Sequence, residues 1–243
     1  MNGVVHRPVL VIQHAPWETP GLIDVALGEL PTVRRMVLDD PGALLPPVSE
    51  LGGVVVMGGP QDADDDERHP GLALERRTLA EAVSADVPVL GVCLGMQLLA
   101  LALGARLHRR HGVEIGFAPV ELTGAGVTDP VLGALASASR APVVLHWHSD
   151  AVELPAGATL LGSTPSTPVQ AFRTGSALGT QFHPEADRAL LAAWLATPSM
   201  GAELGPAAVE RLRRDGDRYL PGLLAPALRG LDRFAAAVRE RRG

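Results

Sequence analysis

The sequence predicts an α/β protein built on a mostly parallel sheet with helices over both faces. Three observations carry that prediction. Short apolar runs rich in β-branched residues recur at 9–12, 51–57 and 87–92, as strands buried on both faces do. Helix-compatible stretches, 21–30 and 70–85, lie between them, and alternating strand and helix is the pattern of crossover connections. The chain has 243 residues, 47% of them apolar, enough for one sizeable domain with a full core.

In order, residues 9–12 read as the first strand and 21–30 as a modest amphipathic helix. A second strand over 33–38 is closed by the turn sequence Asp39-Asp40-Pro41-Gly42. Residues 51–57 form the most β-like run of the chain. A helix over 70–85 leads into the strand 87–92, which passes directly into a helix, 94–103, with Gly104 where a helix stops. Beyond Gly104 the texture changes. Short segments at 106–109, 117–122, 143–146, 159–162 and 169–173, parted by turn residues, predict a small antiparallel section of hairpins. A last strand runs from Leu178 towards His183, followed by a helix over 187–196, a break at 197–201, and a helical remainder. We expect a main domain over 1–197 and a C-terminal helical extension over 198–243. Leu224, Leu228, Leu231, Ala235 and Val238 form one helical stripe in that extension, a pattern that usually faces a core and less often a partner helix.

Composition removes several function classes. Net charge is −6, which gives no electrostatic case for nucleic acid. All 21 basic residues are arginine. Without lysine there is no Walker-type phosphate loop, no Schiff-base chemistry and no pyridoxal attachment, and no cofactor is expected. No apolar run reaches the ~18 residues of a membrane span, and no long apolar leader stands at the N-terminus. The single cysteine excludes an internal disulfide and fits a reducing, cytoplasmic setting.

That cysteine, Cys93, stands where strand turns into helix, with Gly91 and Gly95 two residues away on either side. Such a turn lifts a side chain above the sheet edge and aims the free N–H groups of a helix start towards it, the geometry of a nucleophile elbow. A lone cysteine is otherwise most simply a small buried hydrophobe. Here a base and its orienter are also available: His183 ends a late apolar run, and Glu185 follows across Pro184. A thiol, an imidazole and a carboxylate supply nucleophile, proton carrier and orienter.

The pattern Gly91-x-Cys93-x-Gly95-x-Gln97, with His183-x-Glu185 and with Gly58-Gly59-Pro60 after an earlier strand, resembles the class I, triad-type glutamine amidotransferases over roughly residues 8–197. Within that family it is similar to the amidotransferase domain of GMP synthase, standing alone. The resemblance implies a flavodoxin-like three-layer sandwich and a catalytic triad Cys93, His183 and Glu185. It implies an oxyanion hole from the Gly59 and Leu94 N–H groups, and glutamine contacts at Gly58, Gln97, Ser149 and Asp150. It also implies a partner synthase that receives ammonia, since the chain lacks a nucleotide-binding fingerprint. The same triad would serve a γ-glutamyl peptide or amine hydrolase, and an inherited fold would serve a non-catalytic regulatory subunit.

Two further features have simpler expectations. His146 and His148 face one way on a strand, but no third ligand is evident and zinc needs three or four, so no metal is expected. The acidic run 62–67 lacks the spacing of a calcium loop and reads as a solvated loop. Glu75 and Glu114-Ile-Gly116 match the family pattern without an evident chemical role.

Overall fold

The first half of the chain alternates strand and helix. In the computed structural model, which describes residues 6–137, 139–202 and 204–241, this half gives β1 (Val9–Ile12), α1 (Leu22–Leu27), β2 (Thr32–Arg35), β3 (Gly53–Val56), α2 (Gly71–Ser84), β4 (Val89–Val92) and α3 (Leu94–Ala102). Short strands follow: β5 (Leu107–His108), β6 (Glu114–Pro119) and β7 (Glu121–Leu122), then the short helix α4 (Gly124–Thr128). Next come β8 (Val143–His148), β9 (Ala151–Val152), β10 (Thr159–Ser163), β11 (Ala171–Thr174) and β12 (Ala177–Thr180). Helices α5 (Arg188–Ala196), α6 (Pro198–Ala202) and α7 (Pro206–Glu240) complete the described chain.

The main sheet has eight strands in the order β2-β1-β3-β4-β12-β11-β10-β7. Its first five are parallel neighbours, and the rest pair antiparallel. The parallel part has the doubly wound, flavodoxin-like order, with the strand order reversing beside β1. Two small antiparallel pairs, β5–β9 and β6–β8, lie outside this sheet. The architecture expected from the sequence, a mostly parallel sheet with helices on its faces and a small antiparallel section, is the one observed.

Strand alternation divides the core. Val9 and Val11 join one buried cluster with Ile23, Leu27, Leu231 and Phe234, which places α1 and α7 on that face. Leu10 and Ile12 join another with Leu72, Leu79, Leu98 and Leu99, under α2 and α3. Successive side chains of a strand point to opposite faces, so a central strand with both faces covered must be apolar throughout, as β1, β3 and β4 are. In α7, Leu231, Ala235 and Val238 are buried and Leu224 and Leu228 pack against the same cluster. The stripe read from the sequence therefore faces the core. Pro221 and Pro226 lie inside this 35-residue helix; each removes one backbone donor, and the helix is held by its packing.

One local expectation changes. Residues 197–201 are not a break, since α6 begins at Pro198, a residue suited to a first helical turn because its missing N–H would be unpaired there anyway. The acidic run 62–67 is a solvated loop, as expected, with exposed ion pairs: Asp62 and Asp64 both pair with Arg109, at 3.0 and 2.5 Å, and Asp66 pairs with Arg76 at 2.5 Å.

Candidate active site

The carboxyl ends of four neighbouring parallel strands meet at one cavity. β1 leads to His14 and Glu18, β3 to Gly58 and Gly59, β4 to Cys93, and β12 to His183 and Glu185. Ligands in open α/β sheets bind beyond these ends, where the strand order reverses. Cys93, Gly59, Gln97, Ser149, Asp150 and His183 all line the cavity.

Cys93 sits between β4 and α3 with φ 52° and ψ −109°, left-handed backbone that a residue with a β-carbon adopts only under constraint. The constraint is visible on both sides. Its N–H donates to the Thr180 carbonyl at 2.8 Å, and the Gly95 N–H donates to the Met57 carbonyl at 3.1 Å. A β-carbon on Gly95 would lie 2.0 Å from the Val56 carbonyl oxygen, and one on Gly91 would lie 2.6 Å from that of Gly95. The glycines flanking the cysteine are thus required by close backbone approach. Cys93 is 7% exposed, and its sulfur donates towards the Trp147 carbonyl at 3.6 Å.

His183 is buried. Its Nδ1 lies 2.8 Å from Glu185 Oε1, and its Nε2 has no hydrogen-bond partner among the described residues. Trp194 packs edge-on against the ring, centroids 4.7 Å apart. Burial disfavours the charged imidazole, but Glu185 and the nearby Cys93 side chain outweigh burial and raise the pKa of His183 well above that of a free histidine.

The remaining expected residues have defined surroundings. The Gly59 and Leu94 N–H groups have no backbone acceptor among the described residues. Gln97 is buried, with its amide 3.3 Å from that of Gln181. Asp150 accepts from the Arg110 N–H at 2.8 Å and from Ser149 Oγ at 3.4 Å. Gly58 stands between two groups: a β-carbon on it would meet Glu18 Oε2 at 2.8 Å and His183 Cε1 at 3.4 Å.

Two residues of this site were not foreseen. His14 bridges the Gly58 carbonyl, 3.0 Å from Nδ1, and Glu75 Oε2, 2.9 Å from Nε2. Burial opposes its charge, but Glu75 outweighs burial and the pKa is raised. Glu18 is 4% exposed and lines the cavity, with Oε2 unpartnered among the described residues. Burial, aided by repulsion from Glu185, lifts its carboxyl to about 7, although His183 and His14 pull the other way. The available signal was positional, since polar residues just past a parallel strand's carboxyl end are placed to act.

The histidines of β8 do have a third polar neighbour. β6 and β8 pair so that Glu114 lies opposite His148, and Glu114 Oε2 is 3.1 Å from His148 Nε2 and 4.0 Å from His146 Nδ1. Burial pushes His146 down to about 4. Glu114 falls to about 2, because hydrogen bonds from His148 and Ser166 outweigh its burial.

Comparison with known proteins agrees with this architecture. The chain is 35% identical over 150 residues to the glutamine amidotransferase-like protein YfeJ of Salmonella typhimurium, covering 59% of this chain and 61% of that one. It is 32% identical over 145 residues to the GMP synthase (glutamine-hydrolyzing) of Hamiltonella defensa, covering 57% of this chain but only 26% of that protein. The chain therefore spans about three fifths of the first relative and a quarter of the second. A crystal structure of a glutamine amidotransferase from Thermotoga maritima superposes with a TM-score of 0.82 at 27% identity, covering 95% of this chain and 98% of that one. One from Methylobacillus flagellatus gives 0.84 at 25% identity, covering 98% and 97%. Residues 36–191 match the sequence profile of glutamine amidotransferase class-I, and the chain belongs to that family.

Proposed function

We propose that this protein is a cysteine-dependent glutaminase that releases ammonia from glutamine for an acceptor on a partner synthase. The observation that carries the reading is the His183 ring. One nitrogen is tied to Glu185, the other is buried without a geometric hydrogen bond among the described residues, and the ring lines the same cavity as Cys93, whose side chain helps to raise its pKa. An imidazole oriented by a carboxylate can carry a proton between a thiol and a leaving nitrogen.

In this mechanism the Cys93 sulfur attacks the side-chain amide carbon of glutamine, and His183 takes the thiol proton. Negative charge gathers on the amide oxygen, where the Gly59 and Leu94 N–H groups stabilise it; losing one such donor typically costs ~10²–10³ in rate. The carbon–nitrogen bond breaks as His183 returns the proton to the departing ammonia, leaving a γ-glutamyl thioester. Water then attacks the thioester carbon, His183 accepts its proton, and glutamate and the thiol are restored. Glu185 holds the ring and balances its positive charge throughout. Gly58, Gln97, Ser149 and Asp150 contact the substrate glutamine.

A second reading has a specific observation in its favour. Glu18 supplies a buried carboxyl in the cavity beside His183, a group suited to a cationic leaving amine, so the same triad would cleave γ-glutamyl amines or peptides. Turnover of the purified chain on glutamine and on γ-glutamyl peptides and amines separates the two. Weak glutamine hydrolysis that rises with a synthase partner, and no cleavage of the other substrates, is expected. Brisk cleavage of a γ-glutamyl peptide or amine by the lone chain would replace the first reading with the second. If 6-diazo-5-oxonorleucine fails to label Cys93 under all conditions, the chain is a non-catalytic regulatory subunit.

A further inference from the structure

We propose that Glu114, His146 and His148 form a binding site for one divalent transition-metal ion of the zinc type, under the loop that carries Ser149 and Asp150. Their three ligand atoms, one from each side chain, all lie within 4.8 Å of one another. Bonds of ~2.0–2.1 Å in tetrahedral geometry put donor atoms roughly 3.3 Å apart. Glu114 Oε2 is 3.1 Å from His148 Nε2 and 4.0 Å from His146 Nδ1, so modest rotations of side chains would close the set.

The hydrogen bonds on the far side of each ring support this assignment. His146 Nε2 lies 3.3 Å from the Ala118 carbonyl, and His148 Nδ1 lies 3.1 Å from the Asp150 carbonyl. A carbonyl only accepts, so each of these nitrogens carries the hydrogen. In the neutral rings the opposite nitrogens then turn their lone pairs towards Glu114. This is the usual way a protein fixes the tautomer of a metal-binding histidine. His146 is 1% exposed, and its Nδ1 has no hydrogen-bond partner among the described residues. An ion pair between Glu114 and a protonated His148 would satisfy those two residues but would leave that buried nitrogen orphaned, at a cost. A metal ion satisfies all three.

The surroundings suit a closed ligand set. Glu114 Oε1 accepts from Ser166 Oγ at 2.7 Å, which fixes the carboxylate from behind. The Gln170 amide nitrogen bonds Glu114 Oε2 and lies 3.4 Å from His148 Nε2, while its oxygen is buried without a partner. With the amide turned over, that oxygen offers a fourth ligand. Two imidazoles, a carboxylate and an amide oxygen are nitrogen and oxygen donors of the borderline kind that zinc accepts, and they lack the all-oxygen character that calcium or magnesium needs. Occupancy would join β6, β8 and the segment before β11 beneath residues 147–150, and so rigidify one wall of the cavity.

Zinc also binds thiols, so the test must separate this site from Cys93. Zinc is titrated into the full chain, its Cys93→Ser variant and its His146→Gln variant by calorimetry and thermal melting. We expect one ion per chain in the native and Cys93→Ser proteins, with Tm rising about 5–10 °C at ~100 times the dissociation constant. Affinity should fall at least ~100-fold in His146→Gln. Absence of binding in the native and Cys93→Ser proteins overturns the proposal, as does binding that His146→Gln keeps and Cys93→Ser loses. An anomalous-difference map from zinc-soaked crystals of Cys93→Ser decides the matter even if His146→Gln does not fold. A peak between the three side chains supports the site, and a peak elsewhere or none overturns it.

Discussion

His183 and His146 are both buried imidazoles beside a glutamate, and their pKa values are shifted in opposite directions. His183, in the parallel half of the fold, keeps a carboxylate oxygen 2.8 Å from Nδ1, and its pKa is raised well above that of a free histidine. His146, on the β6–β8 hairpin, has its nearest carboxylate oxygen at 4.0 Å and is pushed down to about 4. Burial lowers both. What differs is whether a carboxylate is in hydrogen-bond contact and undivided, because Glu114 is shared with His148, Ser166 and Gln170. The same residue types thus give a readily protonated imidazole in one half and a weakly basic one in the other, decided by about an ångström of separation.

The largest effect expected from this comparison comes from making His183 resemble His146. Glu185→Gln keeps the shape of the side chain but removes the charge. It should lower glutaminase kcat about 10³–10⁴-fold, as loss of the orienting carboxylate does in such triads. It should also bring the His183 pKa down, since Glu185 is the main influence raising it. Steady-state kinetics and an NMR titration of the ring check both. An unchanged ring pKa would mean that the contrast between the two histidines has another origin.

A second contrast lies in the backbones of the two halves. Gly95 in the elbow meets the Val56 carbonyl, whereas Gly162 in antiparallel β10 meets the side chains of Val120 and Leu122 at 3.3 and 3.4 Å. Peptide groups in a paired sheet cannot move aside, but side-chain methyls can. Gly95→Ala should therefore destabilise the protein by about 3 kcal/mol or more, and Gly162→Ala by about 1 kcal/mol or less. Urea midpoints measure the two directly, and equal losses would refute the distinction.

The parallel half was the more legible one. Its strands are buried on both faces and read as unbroken apolar runs, and the elbow announced itself through Gly91, Cys93 and Gly95. That His183 belongs with Cys93 was implied by the family resemblance, and the direct pairing of β12 with β4 accounts for it. The hairpin half was legible only as short segments. That Glu114 faces His148 depends on the β6–β8 register, between residues 34 apart in the chain, and nothing local in the sequence fixes that pairing. The missing third neighbour of the β8 histidines was hidden for this reason. Glu18 and His14 were missed for another: each looks like an ordinary loop residue until the sheet order brings β1 beside β3.

Glu18 provides the smallest effect and the finest adjustment to the comparison, since it is a second carboxyl on the His183 side whose charge state varies near neutrality. Its pKa is raised from 4.5 to about 7, first by burial and then by Glu185. Between those two values the unfolded chain has already released the proton that the folded protein still holds, so stability falls as pH rises through this window. A shift of this size sets an upper scale of about 3 kcal/mol, and we expect about 1–2 kcal/mol after relaxation around the charge. Glu18→Gln cannot ionise and should reduce the slope, leaving in both proteins the part that comes from the raised pKa values of His14 and His183. The variant and the native protein should have similar stability near about pH 5, and the variant should be the more stable of the two near about pH 8. Denaturant unfolding at both values measures the difference. Parallel pH profiles would show that Glu18 has ordinary acidity and that Glu185 alone sets the charge of His183. A steeper slope in the native protein than in the variant would show that the parallel half balances two carboxyls against one imidazole, where the hairpin half shares one carboxylate between two.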